Sequence, residues 1–176
     1  MNEKNNSKNS SIEEKILEEL QKNCRQNLDE IGKKCGCSRH KVTRVMKKLE
    51  DKGIILGYTA IINPKKMNLN QYFLLFKRTS IPIGEEILKK LPVNNITDII
   101  PIIPANIKNI STHYINGEFD WITSFIAEDI SDAKDFCNQI LKMFHKYVEN
   151  LILLEVVLPI RMQGFKITQK LKITDL

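Results

Sequence analysis

Apolar side chains recur along the first third of the chain at the spacing of one helix face, in three short runs. Ile12, Ile16, Leu17, Leu20 and Cys24 make the first, opened by Ser11 with Glu14 three residues on, the arrangement of a capping box. Asn27 then stands as an N-cap, followed by Leu28, Glu30, Ile31 and Cys35, and Gly36 supplies the stop. Ser38 caps a third run of Val42, Val45, Met46 and Leu49, which Gly53 ends. The apolar stretch 54–62 predicts a small hairpin closed by Asn63-Pro64. Two helices across the short Gly36-Cys37 turn, with a third before them and a hairpin behind, predict a winged helix-turn-helix.

Beyond residue 66 the pattern changes. Tyr72-Phe73-Leu74-Leu75-Phe76 predicts a strongly apolar strand continuing to Ser80. Residues 84–91 predict a short helix with Ile87, Leu88 and Leu91 inward, and residues 107–115 a second strand. Asn116-Gly117 is a two-residue hairpin signal, after which residues 120–127 run back. Ala133, Phe136, Cys137, Ile140, Leu141 and Phe144 form a helical stripe, and residues 151–160 are the last strand, interrupted in hydrophobicity only by Glu155. The order β-α-β-β-α-β is that of a ferredoxin-like unit. The predicted class is therefore α+β, with a leader at 1–10, a winged helix-turn-helix domain at 11–66, a linker at 67–70, a ferredoxin-like domain at 71–165 and an extension at 166–176. The polar leader is expected to be disordered. The segment 92–106 holds three prolines and five isoleucines. It reads as an extra edge strand, a flap, an oligomer contact or a long loop, and its apolar character favours a contact surface.

Charge sharpens the first domain. Residues 1–66 carry 15 basic and 9 acidic side chains, whereas the remaining residues carry 12 of each. The whole excess of +6 therefore lies in the helical part. Lys33, Lys34, Arg39, Lys41, Arg44, Lys47 and Lys48 fall within sixteen residues that contain no Asp or Glu. A patch of one sign attracts a polyanion, because each neutralised phosphate releases condensed counterions. If Val42, Val45, Met46 and Leu49 face the core, then Arg39, His40, Thr43, Arg44 and Lys47 face outward as candidate base readers. Lys33, Lys34, Lys41 and Lys48 are candidate phosphate anchors, and the Ser38 end of the helix offers backbone N–H groups to a further phosphate. No apolar run approaches the roughly 20 residues of a membrane span, and the start lacks a signal-peptide core, so a soluble cytoplasmic protein is expected.

Several motifs carry a family likeness. They are Ile16-Leu17 with Leu20-Gln21, Arg25, Ser38 with Val42 and Arg44, and the run from Leu49-Glu50 through Gly53-Ile54-Ile55, Gly57-Tyr58, Ala60 and Ile62-Asn63-Pro64. In these the chain closely resembles the Lrp/AsnC family of feast/famine transcriptional regulators. It departs at Arg44-Val45, where the family often has two adjacent basic residues. The resemblance implies sequence-specific binding of double-stranded DNA. It also implies a second domain that forms homodimers, or larger assemblies of them, and takes a small effector, commonly an amino acid. Asn116-Gly117-Glu118-Phe119-Asp120-Trp121 looks like the family's effector-proximal hairpin, which carries Gly117, Glu118 and Asp120 over as ligand candidates. Simple turn chemistry accounts for each of these three residues equally well.

Other chemistries fit less well. The four cysteines Cys24, Cys35, Cys37 and Cys137 are expected as reduced thiols, and Cys35-Gly36-Cys37 matches no paired C-x-x-C zinc set. No metal or cofactor is expected, and His113 and His145 read as structural. The chain has no glycine-rich phosphate loop, no H-E-x-x-H and no G-x-S-x-G, which argues against an enzyme. Some proteins of this two-domain layout are porphyrin-pathway decarboxylases. Such an enzyme needs a pocket rich in His and Arg, yet the second domain holds only Arg78, Arg161, His113 and His145. An architectural DNA binder with little sequence preference remains the other alternative.

Overall fold

The computed structural model describes residues 11–85 and 107–167, which divide into two compact units, Met1–Ala60 and Ile61–Leu176. Residues 61–66 thus group with the second unit, although the sequence pattern places them in the first. The expected leader, the body of the 84–91 helix, the 92–106 segment and most of the C-terminal extension lie outside the described residues.

The first unit is three helices, α1 (Ile12–Lys22), α2 (Leu28–Cys35) and α3 (Arg39–Asp51). Each begins where a side chain satisfies otherwise orphaned backbone N–H groups. Ser11 Oγ accepts from Glu14 N while Glu14 Oε2 accepts from Ser11 N, closing the capping box. Asn27 Oδ1 accepts from Asp29 N, and Ser38 Oγ accepts from Lys41 N at 3.3 Å. Gly36 and Gly53 follow α2 and α3 in the left-handed region, at φ 69° and 65°, which only glycine adopts readily. Ile16, Leu20, Ile31, Cys35, Val42, Val45 and Leu49 form one buried cluster, with Met46 half-buried at its rim. Cys24 does not join it: α1 ends at Lys22 with Asn23 extended, so Cys24 lies beyond the helix and is exposed.

The turn between α2 and α3 is closed by a backbone contact rather than by side chains. Cys37 N donates to Gly32 O at 2.8 Å, and a Cβ on Gly32 would lie 2.6 Å from Cys37 O. Gly32 is therefore the point at which α2 admits the backbone that leads into α3.

The expected hairpin at 54–62 is not a hydrogen-bonded ladder; the segment contains no strand. Gly57 lacks the positive φ that a primed hairpin turn needs. Ile54 N and Ile55 N both donate to Leu49 O, so the chain turns back on the helix end before it extends. Ile55 packs on the three-helix core, while Leu56 is 94% exposed.

In the second unit a short 3-10 turn (Pro64–Met67) leads into β1 (Asn70–Arg78). β2 (Lys108–Tyr114), β3 (Trp121–Ala127), α4 (Ile130–Phe144) and β4 (Val148–Glu155) follow. The sheet order is β2-β3-β1-β4 with every pair antiparallel, the ferredoxin-like arrangement. Tyr72, Leu74, Phe125 and Ala127 on one sheet face bury against Ala133, Phe136, Cys137 and Ile140 of α4. Leu141, predicted inward, is 37% exposed, because the stripe narrows after Ile140.

Two strand expectations shift. β4 starts at Val148 and ends at Glu155 instead of spanning 151–160, since its partner β1 extends to Arg78, opposite Val148. Asn116-Gly117 is not a two-residue turn: Tyr114 pairs with Trp121, leaving a six-residue loop 115–120 in which Gly117 has no positive φ. A further hairpin, β5 (Arg161–Met162) and β6 (Phe165–Lys166), turns at Gln163-Gly164, both at positive φ.

In a helix interior, Gly→Ala ordinarily stabilises by up to ~1 kcal/mol. At Gly32 the added methyl meets backbone, which gives way only if α2 and the turn separate. Gly32→Ala is therefore expected to destabilise the first unit by roughly 1–2 kcal/mol net, the overpacking cost exceeding the propensity gain. Urea unfolding followed by circular dichroism measures it, and an unchanged or raised midpoint contradicts the close-approach reading.

Candidate nucleic-acid interface

Burial of Val42, Val45 and Leu49 turns the opposite side of α3 to solvent. Arg39, His40, Lys41, Thr43, Arg44, Lys47 and Lys48 are all exposed there, as are Lys33 and Lys34 at the end of α2 and Ser38 in the turn. Each of the expected residues is thus exposed, at the C-terminal end of α2, in the turn or on α3. At the start of α3 the N–H groups of Arg39 and His40 have no intrahelical acceptor, as in any helix.

These side chains are not equally free. Lys34 Nζ donates to Glu19 Oε2 at 2.9 Å and to Gln26 Oε1 at 2.5 Å. Lys48 Nζ donates to Glu13 Oε1. Arg39 makes a long ion pair with Asp29, 3.4 Å, and Thr43 Oγ1 donates to Arg39 O at 3.2 Å. Among the described residues, Lys33, His40, Lys41, Arg44 and Lys47 have no side-chain partner. The two acceptors on α1 respond to their lysines. Hydrogen bonds from Lys22 and Lys34 pull the Glu19 carboxyl down to about 2, and the bond from Lys48 lowers that of Glu13.

Tyr58 is tied to the C-terminal end of α3. Its hydroxyl donates to Glu50 Oε1 at 2.8 Å, tying the extended segment back to the last turn of α3. Desolvation, with that hydrogen bond and the Glu50 charge, pushes the phenol up to about 12. Glu13, Glu19, Gln26 and the Tyr58–Glu50 pair were not signalled by the linear pattern. Glu13 and Lys48 stand 35 residues apart, and only the packed helices bring them together.

The effector candidates sit on the 115–120 loop. Asp120 is held structurally: its Oδ2 accepts from Arg78 N and its own N–H donates to Phe76 O, both at 2.8 Å. Ile115 N donates to Asp120 O at 2.7 Å, which closes the loop. Gly117 and Glu118 are exposed, and Glu118 has no partner among the described residues. Tyr114 and Trp121 flank the loop in edge-to-face contact, with centroids 5.1 Å apart. His113 is exposed on β2, and His145 Nδ1 lies 3.2 Å from Lys142 O at the end of α4.

Cys35 and Cys137 are buried, and burial raises both thiols, Cys137 to about 11, which makes them poor thiolates. Among the described residues no cluster of His, Cys, Asp and Glu could hold a metal ion, and no helix is long and apolar enough to cross a membrane.

A protein-family model described as winged helix-turn-helix DNA-binding matches residues 10–55. The HTH-type transcriptional regulator Ptr1 of Methanocaldococcus jannaschii is 31% identical over 125 residues, which is 71% of this chain and 76% of that protein. The HTH-type transcriptional regulator LrpA of Pyrococcus horikoshii is 54% identical over 52 residues, 30% of this chain and 37% of that protein. Among solved structures, a transcriptional regulator from Neisseria meningitidis in complex with L-Met superposes with a TM-score of 0.65 at 23% identity, covering 87% of this chain and 92% of that one. An AsnC family transcriptional regulator from Agrobacterium tumefaciens gives 0.64 at 21% identity, covering 94% and 97%.

The Glu19 cluster sets a pH dependence. Folding lowers this carboxyl from the ordinary value near 4.5 to about 2. The stabilisation is therefore fully present above the unfolded value and is lost as pH falls through the folded one. Thermal unfolding of the chain should show a midpoint that drops between about pH 5 and about pH 2, and Glu19→Gln should flatten the drop in that window. Parallel curves for the two proteins would contradict the assignment.

Proposed function

The chain belongs to the Lrp/AsnC family of helix-turn-helix transcriptional regulators, and from that membership we propose that two copies grip an operator of paired half-sites in the cytoplasm under control of an amino-acid-class effector. DNA-binding regulation of transcription is the function of this family and of this chain. The relatives matched are regulators, and we assign the chain no catalytic step.

The observation that carries the reading is the outer face of α3, where uncommitted donors stand opposite a buried apolar stripe. Arg39, His40, Thr43, Arg44 and Lys47 take the base-reading positions. Arg44 and Lys47 are free to donate to guanine O6 and N7. Lys33 and Lys41 take phosphates directly. Lys34 and Lys48 reach phosphates only while sharing or leaving Glu19 and Glu13, and those acids cancel part of their charge. Ser38, with its helix-start N–H groups, takes a further phosphate.

Dimerisation is assigned to the sheet. α4 covers the face that bears Tyr72 and Leu74, so strand alternation puts Phe73, Leu75, Ile122, Ile152 and Leu154 on the other face. An apolar face of this kind favours a second copy, and a twofold pair presents two α3 helices to successive major-groove half-sites. The effector reading rests on the 115–120 loop, where Glu118 and the second oxygen of Asp120 suit an α-ammonium group. It is supported by likeness to a regulator solved with L-Met.

The decisive experiment is salt-dependent binding of the purified chain to its own promoter region and to random duplex of equal length. A preference of ~10³-fold or more for one footprint, with a steep salt slope, is expected. Equal weak binding to both would leave an architectural binder, and no binding at low salt would overturn the reading. Within that assay, Arg44→Ala should cost about 1–3 kcal/mol on the operator and relax one position, with little effect on random DNA. Lys41→Ala should reduce the salt slope by about one unit. Lys48→Ala should reduce it by less than half as much, because its charge is already partly met by Glu13. Equal losses for the two lysines would remove the distinction between free and braced cations.

A further inference from the structure

The last residues of the first unit, 54–60, belong to no strand, yet they are not slack. Their start is pinned by the donations from Ile54 N and Ile55 N to Leu49 O, at 2.9 and 3.1 Å, and by the seating of Ile55 on the core. From there the chain passes Leu56, 94% exposed, and Gly57, neither of which restrains it. The next restraint is Tyr58, whose hydroxyl donates to Glu50 on the last turn of α3. The unit ends two residues later, at Ala60. Among the described residues, no other side-chain hydrogen bond or ion pair holds the segment 56–60 to the helices.

We propose that the Tyr58–Glu50 hydrogen bond is a latch that fixes where the chain leaves the DNA-reading unit, and thereby makes Tyr58 and Glu50 positioning residues for operator half-site spacing. The inference rests on the paired-half-site reading above. With the latch closed, the free chain between α3 and the next unit is short, because the exit point is held at the helix end. With it open, everything after Ile55 becomes tether, and each reading unit reaches a wider range of positions for the same entropic cost. The latch touches no base. Its loss therefore leaves recognition of a single half-site intact and relaxes only the separation at which two half-sites are read together.

The chemistry also explains the residue types. Glu50 stands in the last turn of a helix whose other exposed side chains are largely cationic. A phenol donor keeps that carboxylate engaged at the helix end. A glutamine retains an acceptor oxygen for the phenol, whereas an alanine retains none.

The test uses the full chain and a duplex that the wild-type protein selects from a random library, together with variants of it in which two, five or ten base pairs separate the half-sites further, and a duplex with one half-site only. Wild type is expected to lose affinity at the half-turn insertion of five base pairs by ten-fold or more and to recover in part at ten. Tyr58→Phe and Glu50→Ala should each reduce that discrimination about five- to ten-fold, as expected for loss of one charge-assisted hydrogen bond. Combining them should reduce it no further, and Glu50→Gln should retain most of it. Affinity for the single half-site should stay within about two-fold throughout. Unchanged discrimination in Tyr58→Phe overturns the latch. So does a loss of single-half-site affinity that matches the loss on the full operator, since the pair would then only stabilise the reading head. If wild type itself ignores spacing, the paired-half-site reading falls first and the latch with it.

Discussion

Burial of Val42, Val45 and Leu49 on one side of α3 dictates what the other side can be. Each of these side chains contributes about 1.5–3 kcal/mol when removed from water, far more than any exposed ion pair on the same helix. The rotation of α3 about its axis is therefore set by Ile16, Leu20, Ile31 and Cys35, which form the wall it packs on. His40, Arg44 and Lys47 point outward as a consequence, with no interaction of their own required to aim them. The close passage of Cys37 over Gly32 fixes the remaining freedom, the height at which α3 begins relative to α2.

Electrostatics then divides the basic surface into two populations. The acids of α1 lie within reach of Lys34 and Lys48, and the resulting pairs tie α1 to α2 and to α3. Exposed pairs of this kind are individually weak, so they brace the helices while remaining open to exchange with a phosphate. Lys33, Lys41, Arg44 and Lys47 carry no such commitment. A dense run of positive charge in the sequence is thus a smaller set of free cations in the fold, and it is concentrated where α3 faces outward.

Most of the architecture was legible because it depends on local rules. Ser11, Asn27 and Ser38 cap the helices they were expected to cap, and Gly36 and Gly53 end theirs, since capping chemistry acts over three or four residues. The strand order of the second unit followed from alternation and element order. Most of the failures arise where a contact outside the local pattern decides the outcome. The 54–62 stretch has the composition of a hairpin, but the Leu49 carbonyl and Glu50 capture it before it can pair with itself. Asn116-Gly117 signals a tight turn, yet Asp120 is drawn toward Phe76 and Arg78 on β1, and the loop opens to six residues. Cys24 follows the helical period but lies past the point where α1 stops. The exposed basic side chains of α2 and α3 were legible as a group, whereas their division into free and paired cations was not, because Glu13 and Glu19 belong to a different helix.

The same Asp120 contacts constrain how an effector can act. A ligand that touches only the exposed Gly117 and Glu118 meets no residue of the sheet, and a ligand that binds two conformations equally shifts no equilibrium. A ligand that recruits Asp120 meets a carboxylate already accepting from the backbone N–H of Arg78, at the end of the central strand β1. It must share the remaining oxygen or weaken that bond, and either course alters the β1 end that pairs with both β3 and β4. Differential affinity thus has a physical seat in this loop. Loop closure through Asp120 ties the exposed turn to the end of β1, which is the route the proposed effector site offers to the sheet.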